Sequence, residues 1–172
     1  MKTLITADEI KHRVSELADR INRDYANEPV TLIGILSGSL MFLADLVREL
    51  KLPTRIGFLR ASSYRGETTS SGNLEILHEG LLPDVRGRHI VLVDDILDSG
   101  HTMAAVANHM RQLTPKSLKT AVLLRKLGRQ VVPFEPDYTG FEIPNLFVVG
   151  YGLDYNDDYR HLPYLAVMEP SQ

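Results

Sequence analysis

Two continuous apolar runs, each ending in a polar break, most constrain what this chain can fold into. Residues Val30–Leu36 form the first and residues 90–93 the second. A run that is apolar at every position suits a strand covered on both faces, as in a parallel sheet flanked by helices. Amphipathic stretches follow both runs. Residues 40–50 place Phe42, Leu43, Leu46, Val47 and Leu50 at helical spacing, and residues 100–113 continue the second run as another helix. Further strands are expected at residues 54–59, 74–77 and 119–124. Strands and helices in alternation predict an α/β fold with a central, mostly parallel sheet and right-handed crossovers.

The flanks complete the outline. Thr6 followed by Glu9 matches a capping box, and the helix it opens carries Ile10, Val14, Leu17 and Ile21 on one face. Residues 62–72 turn to Ser, Thr, Gly and Tyr and predict a mobile loop. After Pro133 short apolar pieces are cut by Pro and Gly, which predicts a small irregular or antiparallel subdomain packed on the main sheet. At 172 residues, one domain spanning 1–172 is expected. The net charge of −3 leans against a non-specific grip on nucleic acid. The chain has no cysteine, which excludes disulfides and thiolate chemistry and fits a reducing cytoplasm. No apolar run is long enough for a signal peptide or a membrane span.

The chemistry concentrates in residues 89–102, HIVLVDDILDSGHT. A buried strand ends in Asp94 and Asp95; a short loop then carries Asp98, Ser99 and Gly100 into a helix beginning near Thr102. Ligands of open α/β sheets sit beyond the carboxyl ends of the strands. A loop entering a helix offers unpaired amides and the positive end of the helix dipole, which suits a phosphate. Gly100 allows close approach, and the Ser99 and Thr102 hydroxyls are further donors. Asp94 and Asp95 suit vicinal sugar hydroxyls or a divalent cation. Phosphate donors beside diol acceptors describe a site for a ribose 5-phosphate. The plainer alternative, a helix cap beside solvated acids, fits less well because two adjacent charges on a buried strand end need partners.

This segment resembles the phosphoribosyl-diphosphate signature of the type I phosphoribosyltransferases. Five further blocks resemble the hypoxanthine (hypoxanthine-guanine) branch in order and spacing: residues 34–45 (GILSGSLMFLAD), 62–64 (SSY), 136–144 (PDYTGFEIP), 147–155 (FVVGYGLDY) and 159–163 (YRHLP). The resemblance covers nearly the whole chain. It implies a type I phosphoribosyltransferase fold in which residues after about 133 contribute a base-binding hood. It implies a purine salvage enzyme that transfers the 5-phosphoribosyl group of phosphoribosyl diphosphate to hypoxanthine and guanine. IMP or GMP and pyrophosphate are the products, and Mg²⁺ is the cofactor.

The resemblance also implies roles. Asp98 matches the general base. Asp94, Asp95, Ile96, Leu97, Asp98, Ser99, Gly100, His101 and Thr102 match the ribose and 5′-phosphate segment, with His101 expected to contribute only its backbone amide. Lys126 matches the donor to the purine 6-oxo group, Phe147 the aromatic that stacks on the base, and Val148 a source of main-chain contacts to its edge. Before the match, Lys126 is a solvated strand end and Phe147 a core residue. Asp154 matches a purine-side carboxylate that, with Asp94 and Asp95, serves the metal. Ser37 and Gly38 match the pyrophosphate loop, in which the family often holds a cis peptide, and Arg160 matches the arginine that grips pyrophosphate. Many members carry a basic residue where Ser37 stands, and an arginine where Gln130 stands, with Arg129 beside it here. Ser63 and Tyr64 match the start of a flexible loop that closes over the reacting centre. Members are dimers or tetramers, so a homo-oligomer is expected.

Other functions fit less well. A receiver domain carries its acidic pair near the start of the chain, and an aspartyl-phosphate phosphatase carries its nucleophile on the first strand; neither pattern is present. A phosphoribosyltransferase-fold regulator that senses nucleotides without turnover stays open as the alternative, although the chain lacks an obvious basic face or DNA-binding segment.

Overall fold

The computed structural model describes residues 1–63, 74–77 and 80–168. In chain order the elements are β1 (Lys2–Ile5), α1 (Ala7–Tyr25), β2 (Val30–Leu36), α2 (Leu40–Glu49), β3 (Thr54–Ser63), β4 (Leu74–Leu77) and β5 (His89–Leu97). Then follow α3 (His101–Gln112), β6 (Ser117–Lys126), β7 (Tyr138–Ile143), β8 (Val148–Val149) and β9 (Leu165–Val167). The main sheet runs β4-β3-β2-β5-β6-β7. Its members pair in parallel except β4, which lies antiparallel on the β3 edge.

The apolar runs are explained by what covers them. Leu32, Val91, Val93, Ala121 and Leu123 point to the face packed by α1 and α2, among Ile10, Val14, Leu17, Phe42, Leu43 and Leu46. Ile33, Ile35, Ile90, Leu92 and Val122 point to the opposite face, against Met103, Val106, Ala107 and Met110 of α3. Alternate residues of one strand therefore enter different cores, and no position faces water. α1 begins as its sequence predicts. The Thr6 amide donates to the Glu9 carboxylate at 2.8 Å and the Glu9 amide to the Thr6 hydroxyl at 3.3 Å.

Several expectations are corrected. β5 does not stop at Val93. It continues through both acids, pairing Asp94 with Val122, Ile96 with Leu124 and Leu97 with Arg125. β3 reaches Ser63, so the first two residues of the loop expected at 62–72 are strand, and the rest of that loop lies outside the described residues. The segment after Pro133 is not wholly a separate subdomain. β7 joins the main sheet beside β6, and close approach there requires Gly140, whose added Cβ would lie 2.5 Å from the Leu123 carbonyl oxygen. The antiparallel part is a three-stranded sheet, β1-β9-β8, to which the N-terminus adds a strand that its own short sequence did not announce.

The topology fixes where a site can form. From β2 the chain moves to β3 on one side of the sheet, while β5 flanks β2 on the other. The carboxyl ends of β2 and β5 therefore border a topological switch point, where open α/β sheets bind their ligands.

Candidate active site

The turn after β2 and the acids of β5 meet at this switch point. The peptide between Leu36 and Ser37 is cis, and Gly38 follows. A Cβ on Gly38 would lie 1.8 Å from Oδ2 of Asp95, so only glycine leaves room for that carboxylate. On its other side Gly38 meets Gly152, at φ +100°, where a Cβ would lie 2.2 Å from the Gly38 carbonyl oxygen. The Gly152 amide donates to the Arg160 carbonyl at 3.0 Å, and Nη1 of Arg160 donates to the Gly152 carbonyl at 2.7 Å. Arg160 also reaches Asp154 at 2.9 Å and Asp157 at 3.4 Å. The arginine that a sequence alone would leave on the surface is thus built into the wall beside Asp95.

Asp94 and Asp95 are an acidic pair, the first buried and the second half-buried. Asp94 is 8% exposed. Burial, and then the neighbouring Asp95 charge, raise its carboxyl well above the ordinary range. Asp95 is raised mainly by burial, against the pull of hydrogen bonds and of Arg160. The backbone already accommodates them: the Asp95 amide donates to Asp94 Oδ1 at 3.0 Å and the Ile96 amide to Asp95 Oδ1 at 2.8 Å. Two adjacent buried carboxylates favour a cation or a set of hydroxyl donors. Among the described residues no cluster of three or more His, Asp or Glu forms a ready-made metal cage. A hard cation that keeps several water and substrate oxygens is the kind a two-carboxylate edge suits, which matches Mg²⁺.

Beyond β5 lies a cavity of about 240 Å³ lined by residues 94–100, Thr102 and Met103. Gly100, at φ +89°, turns the chain into α3, where a Cβ would lie 2.4 Å from the Val132 carbonyl oxygen. The Ser99 carbonyl accepts the amides of Val131 and Val132 at 2.9 and 3.0 Å, so the turn is clasped from outside. The N-cap of α3 is Gly100, which has no side chain to cap the helix. The Ser99 hydroxyl accepts the His101 amide at a long 3.4 Å, and the His101 side chain is exposed. A weakly capped helix start lining a cavity can receive an anion.

Asp98 closes this cavity on the β6 side. Nζ of Lys126, the last residue of β6, lies 3.0 Å from Asp98 Oδ2, and Nε of Arg129 lies 3.0 Å from Oδ1. Burial pushes the Asp98 carboxyl up, but the two cations outweigh it and hold it below its usual value. Lys126 is therefore not a solvated strand end. Gln130 turns away, donating to the Phe134 carbonyl at 2.8 Å.

The remaining expected residues fall in the β8 region. Val148 is buried, while Phe147 is 51% exposed, so it is not a core residue. The Phe147 ring meets Tyr155 edge to face, with centroids 5.7 Å apart. Asp154 accepts the Asp157 amide at 2.9 Å besides pairing with Arg160. Tyr64 lies outside the described residues, and Ser63 is the last residue of β3. The sequence reading did not single out Gly152 or Tyr155, although the Gly150-Tyr151-Gly152 spacing marks a tight turn, and it left Arg129 without a partner.

Comparison with known proteins agrees with this geometry. Residues 4–156 match the phosphoribosyl transferase domain family. The hypoxanthine-guanine phosphoribosyltransferase of Streptococcus pneumoniae is 42% identical over 168 residues, covering 98% of this chain and 93% of that one. The hypoxanthine phosphoribosyltransferase of Salmonella typhimurium is 41% identical over 168 residues, covering 96% and 94%. A Bacillus anthracis hypoxanthine-guanine phosphoribosyltransferase structure superposes with a TM-score of 0.92 at 38% identity, covering 98% of this chain and 99% of that one. A ternary substrates complex of a lysine-to-arginine mutant of the Trypanosoma cruzi hypoxanthine phosphoribosyltransferase superposes with a TM-score of 0.91 at 41% identity, covering 98% and 95%. The chain belongs to the phosphoribosyltransferase family, among its hypoxanthine-guanine members.

Proposed function

We propose that this protein transfers the 5-phosphoribosyl group of phosphoribosyl diphosphate to hypoxanthine and guanine, forming IMP or GMP and releasing pyrophosphate in purine salvage. The observation that carries the reading is the cation-gripped Asp98 on the rim of a ribose phosphate cradle at the switch point of the sheet. An anion site alone would bind a nucleotide. A carboxylate held ionised beside it can also take a proton from the purine ring nitrogen as the new bond forms.

The chain's own groups divide the work. The amides of the α3 start, with Ser99 and Thr102, hold the 5′-phosphate. Asp94 and Asp95 accept the ribose hydroxyls, directly or through Mg²⁺, which when bound also neutralises diphosphate charge. Backbone donors around Ser37 and Gly38, and the Arg160 guanidinium, take the leaving pyrophosphate. Lys126 leaves Asp98 for the purine 6-oxo group, Phe147 stacks on the base, Val148 offers its main chain, and Asp154 completes the far side. The loop that begins at Ser63 and Tyr64 closes over the centre and excludes water, a competing acceptor for an oxocarbenium-like ribose. The small sheet of β1, β8 and β9 forms the hood, with residues after about 133, on a single domain. A homo-oligomer in the cytoplasm completes the proposal. Among the described residues no helix is long and apolar enough to cross a membrane.

The test is turnover. Protein, Mg²⁺, phosphoribosyl diphosphate and hypoxanthine should yield IMP and stoichiometric pyrophosphate. Tight IMP binding without product would instead identify a nucleotide-sensing regulator on the same fold.

A further inference from the structure

Tyr151 is built into the molecule in a way that the proposed roles do not use. It sits between Gly150 and Gly152 at φ +47°, and it is 7% exposed. Its hydroxyl donates to Oδ2 of Asp45 at 2.5 Å across 106 residues of chain. Asp45 lies in α2, the helix that begins directly after the Ser37–Gly38 turn. Its other oxygen pairs with Arg48 one turn along the same helix, so the carboxylate stays fixed.

Both ends of this hydrogen bond lead to the same place. On one side α2 carries the turn whose Gly38 touches Asp95. On the other, Tyr151 precedes Gly152, which rests on the Gly38 carbonyl, donates its amide to the Arg160 carbonyl and accepts the Arg160 guanidinium on its own carbonyl. The Tyr151 amide is itself tied to the Leu162 carbonyl at 2.8 Å. A strap from the small sheet is thereby pinned to α2 one residue away from where Gly152 and Gly38 meet. We infer that the Tyr151–Asp45 hydrogen bond is a positioning clasp that sets the spacing of Gly38, Gly152 and Arg160, and so the affinity of the pyrophosphate side of the site. Neither residue is among those assigned to a substrate. Lys126, assigned to the purine, and the Gly100 turn, assigned to the 5′-phosphate, lie on other elements. Phe147, Val148 and Asp154 share the β8 segment with Tyr151, but Gly152 and Arg160 stand next to the clasp, so the effect falls mainly on the pyrophosphate side.

This inference rests on the proposed reaction, and the experiment separates the two. Steady-state constants are measured for both substrates in the wild type, Y151F, D45A, D45N and Y151F/D45A. Binding of magnesium pyrophosphate is measured in parallel by calorimetry, which needs no turnover. Loss of a hydrogen bond to a charged acceptor is expected to raise KM for phosphoribosyl diphosphate, and Kd for pyrophosphate, about tenfold in Y151F and D45A. KM for hypoxanthine should rise much less, within about twofold, since Lys126 lies on β6, away from the clasp. The double variant should be no weaker than either single one, as expected for one shared contact. D45N, whose amide oxygen still accepts the hydroxyl, should recover most of the loss. An unchanged pyrophosphate Kd in Y151F would overturn the clasp. So would an equal rise in both KM values with a lowered thermal midpoint, the mark of a merely structural role. Absence of IMP from the wild type would refute the reaction, while the calorimetry would still decide the clasp.

Discussion

Asp98 is gripped at both oxygens, by Lys126 at 3.0 Å on one and by Arg129 at 3.0 Å on the other. The arrangement keeps the carboxylate ionised, but it also engages the lone pairs that a proton would need. In the proposed reaction, a purine whose 6-oxo group draws Lys126 away frees one oxygen as the base arrives. Binding of the acceptor and unmasking of the base are then one event. Asp98→Asn keeps the shape and removes the basicity. It should lower kcat by about 10² to 10⁴, the usual range for general acid–base catalysis, while IMP affinity changes little. Single-turnover kinetics with calorimetry on the same variant checks this, and a near-normal chemical step would remove Asp98 from its role.

Arg129 bears on the pH profile. In the proposed role Asp98 works as the carboxylate, so activity should fall as pH drops through its pKa, which the cations hold below the ordinary value. Removing Arg129 takes away one of the two lowering influences and raises that pKa. The acid limb of kcat/KM in Arg129→Ala should therefore move to higher pH, with the alkaline limb in place. An unmoved acid limb would show that Lys126 alone sets the ionisation.

Lys126→Ala separates base recognition from donor recognition. A hydrogen bond from a charged donor is worth about 1.5–3 kcal/mol, so KM for 6-oxopurines should rise about ten- to a hundredfold. KM for phosphoribosyl diphosphate should change much less. Equal losses for both substrates would place the lysine's contribution on Asp98 rather than on the purine.

Gly100→Ala tests the phosphate turn. The added methyl would lie 2.4 Å from the Val132 carbonyl, at a φ of +89° that side chains rarely adopt. The strain should lower stability by about 1–3 kcal/mol, read by denaturant unfolding, and IMP should bind more weakly because the α3 amides shift. A variant as stable as wild type that binds IMP normally would mean that the turn is not held as described.

What was legible in the sequence follows from which residues have one explanation and which have two. β2 and the first half of β5 were legible because only a doubly covered strand is apolar at every position, and both faces are indeed filled. The last residues of β5 were not. Two aspartates inside a strand contradict strand preference, and only the pairing with Val122 and Leu124 of β6 overrides it. β7 looked like a fragment because Pro136 stands just before it and Gly140 inside it; the structure uses Gly140 to bring the β6 backbone close. β1 is four residues whose partner, β9, lies at the far end of the chain, and a pairing of that span leaves no local trace. In the site, the Asp98 to Thr102 loop was legible as chemistry. Its grip by Lys126 and Arg129 depends on the register of β5 with β6, which no local pattern encodes.

The buried acids make a last prediction about function opposing stability. Asp94 sits beside Asp95 with 8% exposure and, among the described residues, no cationic side chain paired with it, and burial and the neighbouring charge both disfavour its ionised form. Asp94→Asn keeps an oxygen to accept the Asp95 amide and removes one of two adjacent charges. If this relieves about 1 kcal/mol, the thermal midpoint without Mg²⁺ should rise by about 2–4 °C, the scaling for a chain of this size. The gain should reverse with ligand. Mg²⁺ with phosphoribosyl diphosphate should raise the wild-type midpoint, because binding to the folded state stabilises it, and should raise the variant's much less. Scanning both proteins with and without ligand reads the two effects together. A variant that is less stable alone and gains as much from ligand as wild type would show that the acid is structural and that the sugar and metal are held elsewhere.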